Sequence, residues 1–136
     1  MTDRDINDCC KELQAIIPAW KSRCAAAGIS VKPIVTYRDD ADQEKAKEEC
    51  LSKAGPGQSP HNCVDADGNP ASKAFDFGVF EEDGTYVTDG TDPRYAKAGY
   101  IAKQLGLEWG GDWTIEKDGC NPDFDHLQLA NWKSQA

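Results

Sequence analysis

Apolar side chains recur at three- and four-residue steps early in the chain: Ile6, Cys9 and Cys10, Leu13, Ile16 and Ile17, Trp20 and Cys24. That period lines one face of an α-helix and predicts a helix from about Asp5 to Ala27, stopped by Gly28. Pro18 lies inside the stripe, where its missing N–H predicts a bend or a split. Val31 to Thr36 reads as a short strand. A second helix is expected from Asp40, where Asp40 and Gln43 resemble a capping box, to Lys53, before the loop Ala-Gly-Pro-Gly-Gln-Ser-Pro. Residues 61–73 look irregular and carry the turn chemistry of Asp65-Ala66-Asp67-Gly68-Asn69-Pro70. Ala74 to Phe80 alternates, with Phe75, Phe77 and Val79 on one side and Asp76 and Gly78 on the other. Glu82-Asp83-Gly84 is a turn that makes Thr85–Thr88 its hairpin partner. Asp92 as N-cap, Pro93 at the first helical position and Gly106 as the stop mark a third helix. Trp109 to Trp113 reads as a glycine-containing loop, and His126 to Leu129 as a last short strand. Helices in front and short strands behind predict an α+β domain with a small antiparallel sheet.

Composition narrows the function classes. A chain of 136 residues suits one compact domain, and no apolar run approaches the roughly 20 residues of a membrane span. The start of the chain is polar and acidic, unlike a secretory signal. Net charge is −9, which argues against nucleic acid as the main partner. The imbalance is uneven: residues 1–60 carry 9 basic and 10 acidic side chains, residues 61–136 carry 6 and 14. Those carboxylates either make a soluble surface or surround a metal ion. The six cysteines are read as reduced thiols, with Cys9, Cys10 and Cys24 packed as small hydrophobes. No C-x-x-C pair is present to form a zinc knuckle.

The chemistry centres on two histidines, His61 and His126. Asp76 stands between Phe75 and Phe77 in an apolar strand, where a buried charge needs a partner or a metal. Two imidazoles and one carboxylate make a three-ligand set for catalytic zinc, which leaves a position for water. Asp123, three residues before His126, is placed to act as a base outside the ligand set. Asp125 is set aside because its neighbour His126 should face the other way on a strand. Arg38 could stabilise an oxyanion or a substrate carboxylate, or could pair with Asp39 or Asp40. Trp20, Tyr95, Tyr100 and Trp109 are read as packing residues, and Trp132 as an anchor for the tail.

The motifs Thr36-Tyr37-Arg38 with Gln43, Ser59-x-His61, Ala74-x-Asp76, Trp109-Gly110-Gly111-Asp112-Trp113 and Asp123-x-x-His126 occur in that order. Together they resemble the zinc D-Ala-D-Ala carboxypeptidase and L-alanyl-D-glutamate endopeptidase family, and more narrowly its small single-domain bacteriophage endolysins. The resemblance implies a hedgehog-like α+β fold with the zinc at the sheet. It implies His61, Asp76 and His126 as ligands of one zinc ion, and Asp123 as the acid/base. Arg38 would act at the substrate's carboxylate or carbonyl, and Ser59, Tyr37 and Trp113 would bind substrate. The implied reaction is hydrolysis of the L-Ala–D-Glu bond of the peptidoglycan stem peptide, ending in host lysis. The chain is then expected to be a monomeric catalytic domain over residues 1–136 with no separate wall-binding domain. It would collect in the host cytoplasm until a pore-forming protein releases it to the wall.

Three features depart from that pattern. The 14 residues between His61 and Asp76 exceed the family's usual spacing and leave Asp67 as a second choice for the carboxylate ligand. The Asp65/Asp67 segment is either a plain turn or a calcium loop, although it lacks the full twelve-residue pattern. The acidic charge predicts weak steering toward an anionic wall. Cys63 and Cys120 lie near the motifs and are read as structural. The competing functions are a D-Ala-D-Ala carboxypeptidase or dipeptidase on the same fold, and a non-catalytic metal- or wall-binding module.

Overall fold

In the computed structural model, residues 5–37, 63–113 and 123–130 are described. The predicted helix at Asp40–Lys53 and the loop after it lie outside them, as do Arg38, Ser59, His61, Cys120 and Trp132. The N-terminal apolar stripe forms two pieces rather than one helix. A 3-10 turn at Ile6–Asp8 is capped by Asp5, whose Oδ1 accepts from Asn7 N at 2.9 Å. Helix α1 then spans Lys11–Ala26. The break falls at Cys9 and Cys10, where backbone bonds go elsewhere: Cys10 N donates to Ser72 O at 2.8 Å and Ser72 N to Asp8 O at 2.8 Å. The helical period therefore ran through a point where the chain turns to bond a distant segment. Pro18 neither splits nor ends α1.

Five strands follow the chain as β1 Ser30–Val35, β2 Ala74–Phe80, β3 Tyr86–Val87, β4 Leu107–Trp109 and β5 His126–Leu129. Helix α2, Pro93–Gln104, lies between β3 and β4 and is capped by Asp92, which accepts from Arg94 N at 2.9 Å. The sheet is antiparallel in the order β1-β2-β5-β4, and β3 pairs with the far end of β2. Strand β4 is an element the sequence pattern did not predict, and it takes only Trp109 from the loop expected at Trp109–Trp113. Its three residues are too few for an alternating pattern to stand out. The rest of that loop is a 3-10 turn at Gly110–Asp112 followed by extended backbone at Trp113.

One sheet face forms the core. Phe75, Phe77 and Val79 of β2 are fully buried with Leu127 of β5. Trp20 of α1 meets Phe75 and Phe77 edge-on at 5.2 and 5.1 Å. Its indole N–H donates to Ala98 O of α2 at 3.0 Å, so one side chain ties both helices to the sheet. Trp109 and Tyr95 pack as expected, with Gly99 of α2 against the Trp109 ring. Tyr100 does not: it is 56% exposed on the outer face of α2. Cys9 and Cys24 are buried and Cys10 and Cys63 half-buried.

Strands β5 and β3 share one edge of β2 and leave a gap between them. The backbone donors in that gap are satisfied locally: Phe77 N donates to Asp125 O at 2.8 Å and Val79 N to Tyr95 Oη at 3.2 Å. The residues just before β5 are thereby fixed against β2.

Candidate metal centre

The alternation of β2 sends Asp76 to the face opposite the core. Asp76 is the register partner of His126, so both side chains rise from the same face of adjacent strands. Asp76 Oδ1 lies 3.1 Å from His126 Nδ1, and both side chains are largely buried, at 13% and 6% exposure. Asp123 joins them. Asp76, Asp123 and His126 each offer a ligand atom, and these atoms lie within 4.8 Å of one another.

The segment carrying Asp123 is held by Gly110. The Gly110 carbonyl accepts from Asp123 N at 2.9 Å and from Trp113 N at 3.1 Å. Trp109 Nε1 donates to Phe124 O at 2.8 Å. A side chain at position 110 would place its Cβ 2.4 Å from Asp123 O and 3.0 Å from His126 Cβ. The glycine therefore allows the backbone approach that sets Asp123 beside His126. Trp113 stands with its ring 4.9 Å from the His126 ring. Tyr37 is half-buried, two residues beyond β1, whose Val35 is paired with Asp76.

Burial pushes His126 toward its neutral form. The bond to Asp76, the nearby Asp123 and the bond to Gln128 outweigh it and hold the imidazole pKa above its ordinary value. Asp125 is not turned away as expected. It precedes the strand, so strand alternation does not apply, and its carboxyl hydrogen-bonds Asp123. Burial first, then Asp76 and Asp123, push its pKa well above the usual carboxylate range. A raised folded-state pKa means that the folded state binds more protons than the unfolded one. The resulting stability is fully present below the unfolded value of about 3.9 and declines as pH rises above it. In chelator-treated protein, Asp125→Asn should flatten that decline between about pH 4 and 7, read as denaturation midpoints. Equal slopes for parent and variant would contradict this.

Asp67 is not at the centre. Asp65 Oδ1 accepts from Asp67 N at 2.9 Å and Asn69 N at 3.0 Å, and Asp67 is exposed. This is the plain turn, and among the described residues no group of three potential ligands includes Asp65 or Asp67. Sequence reasoning missed Gln128 and Glu108. His126 Nε2 lies 2.8 Å from Gln128 Oε1, and Gln128 Nε2 donates to Glu108 Oε2 at 3.0 Å. The available signal was the two-residue step from His126 to Gln128 on one strand.

No family model matches the chain. It is 28% identical over 125 residues to the peptidoglycan L-alanyl-D-glutamate endopeptidase CwlK of Bacillus subtilis, covering 82% of this chain and 67% of CwlK. Its fold matches the L-Ala D-Glu endopeptidase ChiX of Serratia marcescens with a TM-score of 0.55 at 20% identity, over 79% of this chain and 72% of ChiX. It also matches the D,D-pentapeptidase VanY of a VanB-type resistance cassette, solved with Zn(II), with a TM-score of 0.64 at 15% identity. That match covers 91% of this chain and 74% of VanY. The likenesses in sequence and in fold support the zinc D-Ala-D-Ala carboxypeptidase and L-alanyl-D-glutamate endopeptidase family.

Proposed function

We propose that this chain is a zinc-dependent endopeptidase that hydrolyses the L-Ala–D-Glu bond of the peptidoglycan stem peptide. The observation that carries this reading is the pairing of Asp76 with His126, with Asp123 in the same group of ligand atoms. The donors fit the metal. Two ligands of a tetrahedral zinc with bonds of roughly 2.0–2.1 Å stand about 3.3 Å apart. Asp76 Oδ1 and His126 Nδ1 are 3.1 Å apart. In this reading Asp76 and His126 hold the ion together with His61. When bound, zinc would lower the pKa of a coordinated water and polarise the scissile carbonyl.

The chain's own residues supply the rest. Asp123 takes the proton of the attacking water and returns it to the leaving amine. Trp113 closes one side of His126 and borders the substrate. Arg38, Ser59 and Tyr37 orient the stem peptide through its carboxylate and carbonyl groups. Gly110 sets the position of Asp123, so Gly110→Ala should leave every one of these side chains in place in the sequence yet lower turnover by about 100-fold. Steady-state kinetics beside a thermal melt would check it; unchanged kcat/KM would contradict it.

The finer reading is a bacteriophage endolysin, released from the host cytoplasm by a separate pore-forming protein to act in host lysis. Its support is the order of motifs from Thr36 to His126, which resembles that of small single-domain endolysins. The D,D-peptidase reading has one observation in its favour: the TM-score to VanY, 0.64, exceeds that to ChiX, 0.55. The sequence match to CwlK favours the endopeptidase. Mass analysis of fragments released from isolated peptidoglycan decides between them. New N-terminal D-Glu supports the endopeptidase, and released terminal D-Ala alone overturns it.

A further inference from the structure

We infer that Gln128 and Glu108 are positioning residues that fix the ring orientation and tautomer of His126 for metal binding. The inference rests on the metal-centre reading above. Glu108 and Gln128 are register partners on β4 and β5, and His126 lies one step along the same face of β5. The chain of bonds has one consistent direction. A carboxylate oxygen only accepts, so Gln128 must turn its amide nitrogen toward Glu108 Oε2, at 3.0 Å. That leaves the amide oxygen facing His126 Nε2 at 2.8 Å. An amide oxygen also only accepts, so the ring hydrogen must sit on Nε2.

In the neutral imidazole, Nδ1 then carries the lone pair. Nδ1 is the ring atom that faces Asp76 Oδ1. The tautomer imposed from the β4 side is therefore the one that can donate an electron pair into the Asp76–Asp123 group. Gln128 is 8% exposed and lies on the side of the ring away from Asp76, which suits a bond shielded from water. Glu108, the exposed residue of β4, anchors the amide orientation. Removal of such an outer partner typically lowers metal affinity about 10- to 100-fold.

The test uses the whole chain and zinc alone. Zinc affinity is measured by competition with a chromophoric chelator, and the position of the ring hydrogen by long-range proton–nitrogen NMR of the zinc-loaded protein. The parent should bind zinc with the His126 hydrogen on Nε2, and Gln128→Leu should weaken zinc binding about 10- to 100-fold. The exchanged pair Glu108→Gln with Gln128→Glu keeps an acceptor facing His126 Nε2, now held by an amide that donates from position 108, and should restore affinity to within about threefold. A merely structural role for Gln128 would lower the melting temperature without moving zinc affinity. If Gln128→Leu fails to fold, Glu108→Leu decides: a loss of more than about threefold supports the inference and a smaller one overturns it. A ring hydrogen on Nδ1, or a Gln128→Leu affinity near that of the parent, also overturns it. A parent chain that binds no zinc defeats the metal-centre reading itself, and this inference with it.

Discussion

Asp123→Asn should retain zinc and the native fold while peptidoglycan hydrolysis falls by about 100- to 10,000-fold, the range ascribed to a positioned general acid–base. The substitution removes the basic oxygen but keeps the side chain's size, so the approach of Gly110 to this segment is undisturbed. The backbone bonds that fix the position, Asp123 N to Gly110 O at 2.9 Å and His126 N to Asp123 O at 3.3 Å, do not involve the carboxylate. Loss of activity should therefore appear in kcat with little change in melting temperature. Near-normal kcat would remove Asp123 from the role of base and return Asp125 to consideration, since its carboxyl is hydrogen-bonded to Asp123.

His126→Ala is expected to lose both zinc and turnover. It deletes a ligand rather than a proton carrier, and no other histidine is present among the described residues. It also orphans Gln128, which is 8% exposed. A buried amide oxygen without a donor costs about 1–3 kcal/mol, so the apo protein should also melt earlier than apo parent. The contrast between the two variants is the informative part: one keeps metal without activity, the other keeps neither. Stoichiometric zinc in His126→Ala, measured by metal analysis after gel filtration, would contradict the ligand assignment.

Strands β2 and β5 and the capped helix α2 were legible because their patterns are local. Alternation in Ala74–Phe80 placed Asp76 opposite the core, and that placement holds. Asp92, Pro93 and Gly106 bounded α2 with cap chemistry alone, and Gly106 adopts a φ of +91°. The N-terminal helix was overextended because apolar spacing does not report where backbone bonds go. Cys9 and Cys10 keep the helical period yet bond across to the Ser72 segment. Tyr100 was misplaced because it occupies the outward side of α2 despite its ring.

Among the described residues, the grouping of Asp76, Asp123 and His126 was legible and its supports were not. Asp76, Asp123 and His126 were chosen by chemistry; the sheet register pairs Asp76 with His126, and the bond to Gly110 sets Asp123 beside them. Gly110 was visible only as part of a loop motif, because the need for a missing Cβ is a property of two segments meeting. Gln128 offered only its two-residue step from His126, and Glu108 was silent because its role depends on the β4–β5 pairing and three residues of β4 carry no readable period. The Asp65–Asp67 segment shows the converse: a ligand-like sequence whose carboxylate is occupied by its own turn.

The most direct test of the central claim couples metal content to cleavage in one preparation. The purified chain is analysed for zinc, then incubated with isolated peptidoglycan before chelation, after chelation and after zinc is restored. The account predicts one zinc per chain, release of fragments with new N-terminal D-Glu, loss of that release on chelation and its return with zinc. Cleavage that persists in fully zinc-free protein, or a chain that binds no zinc, would contradict it.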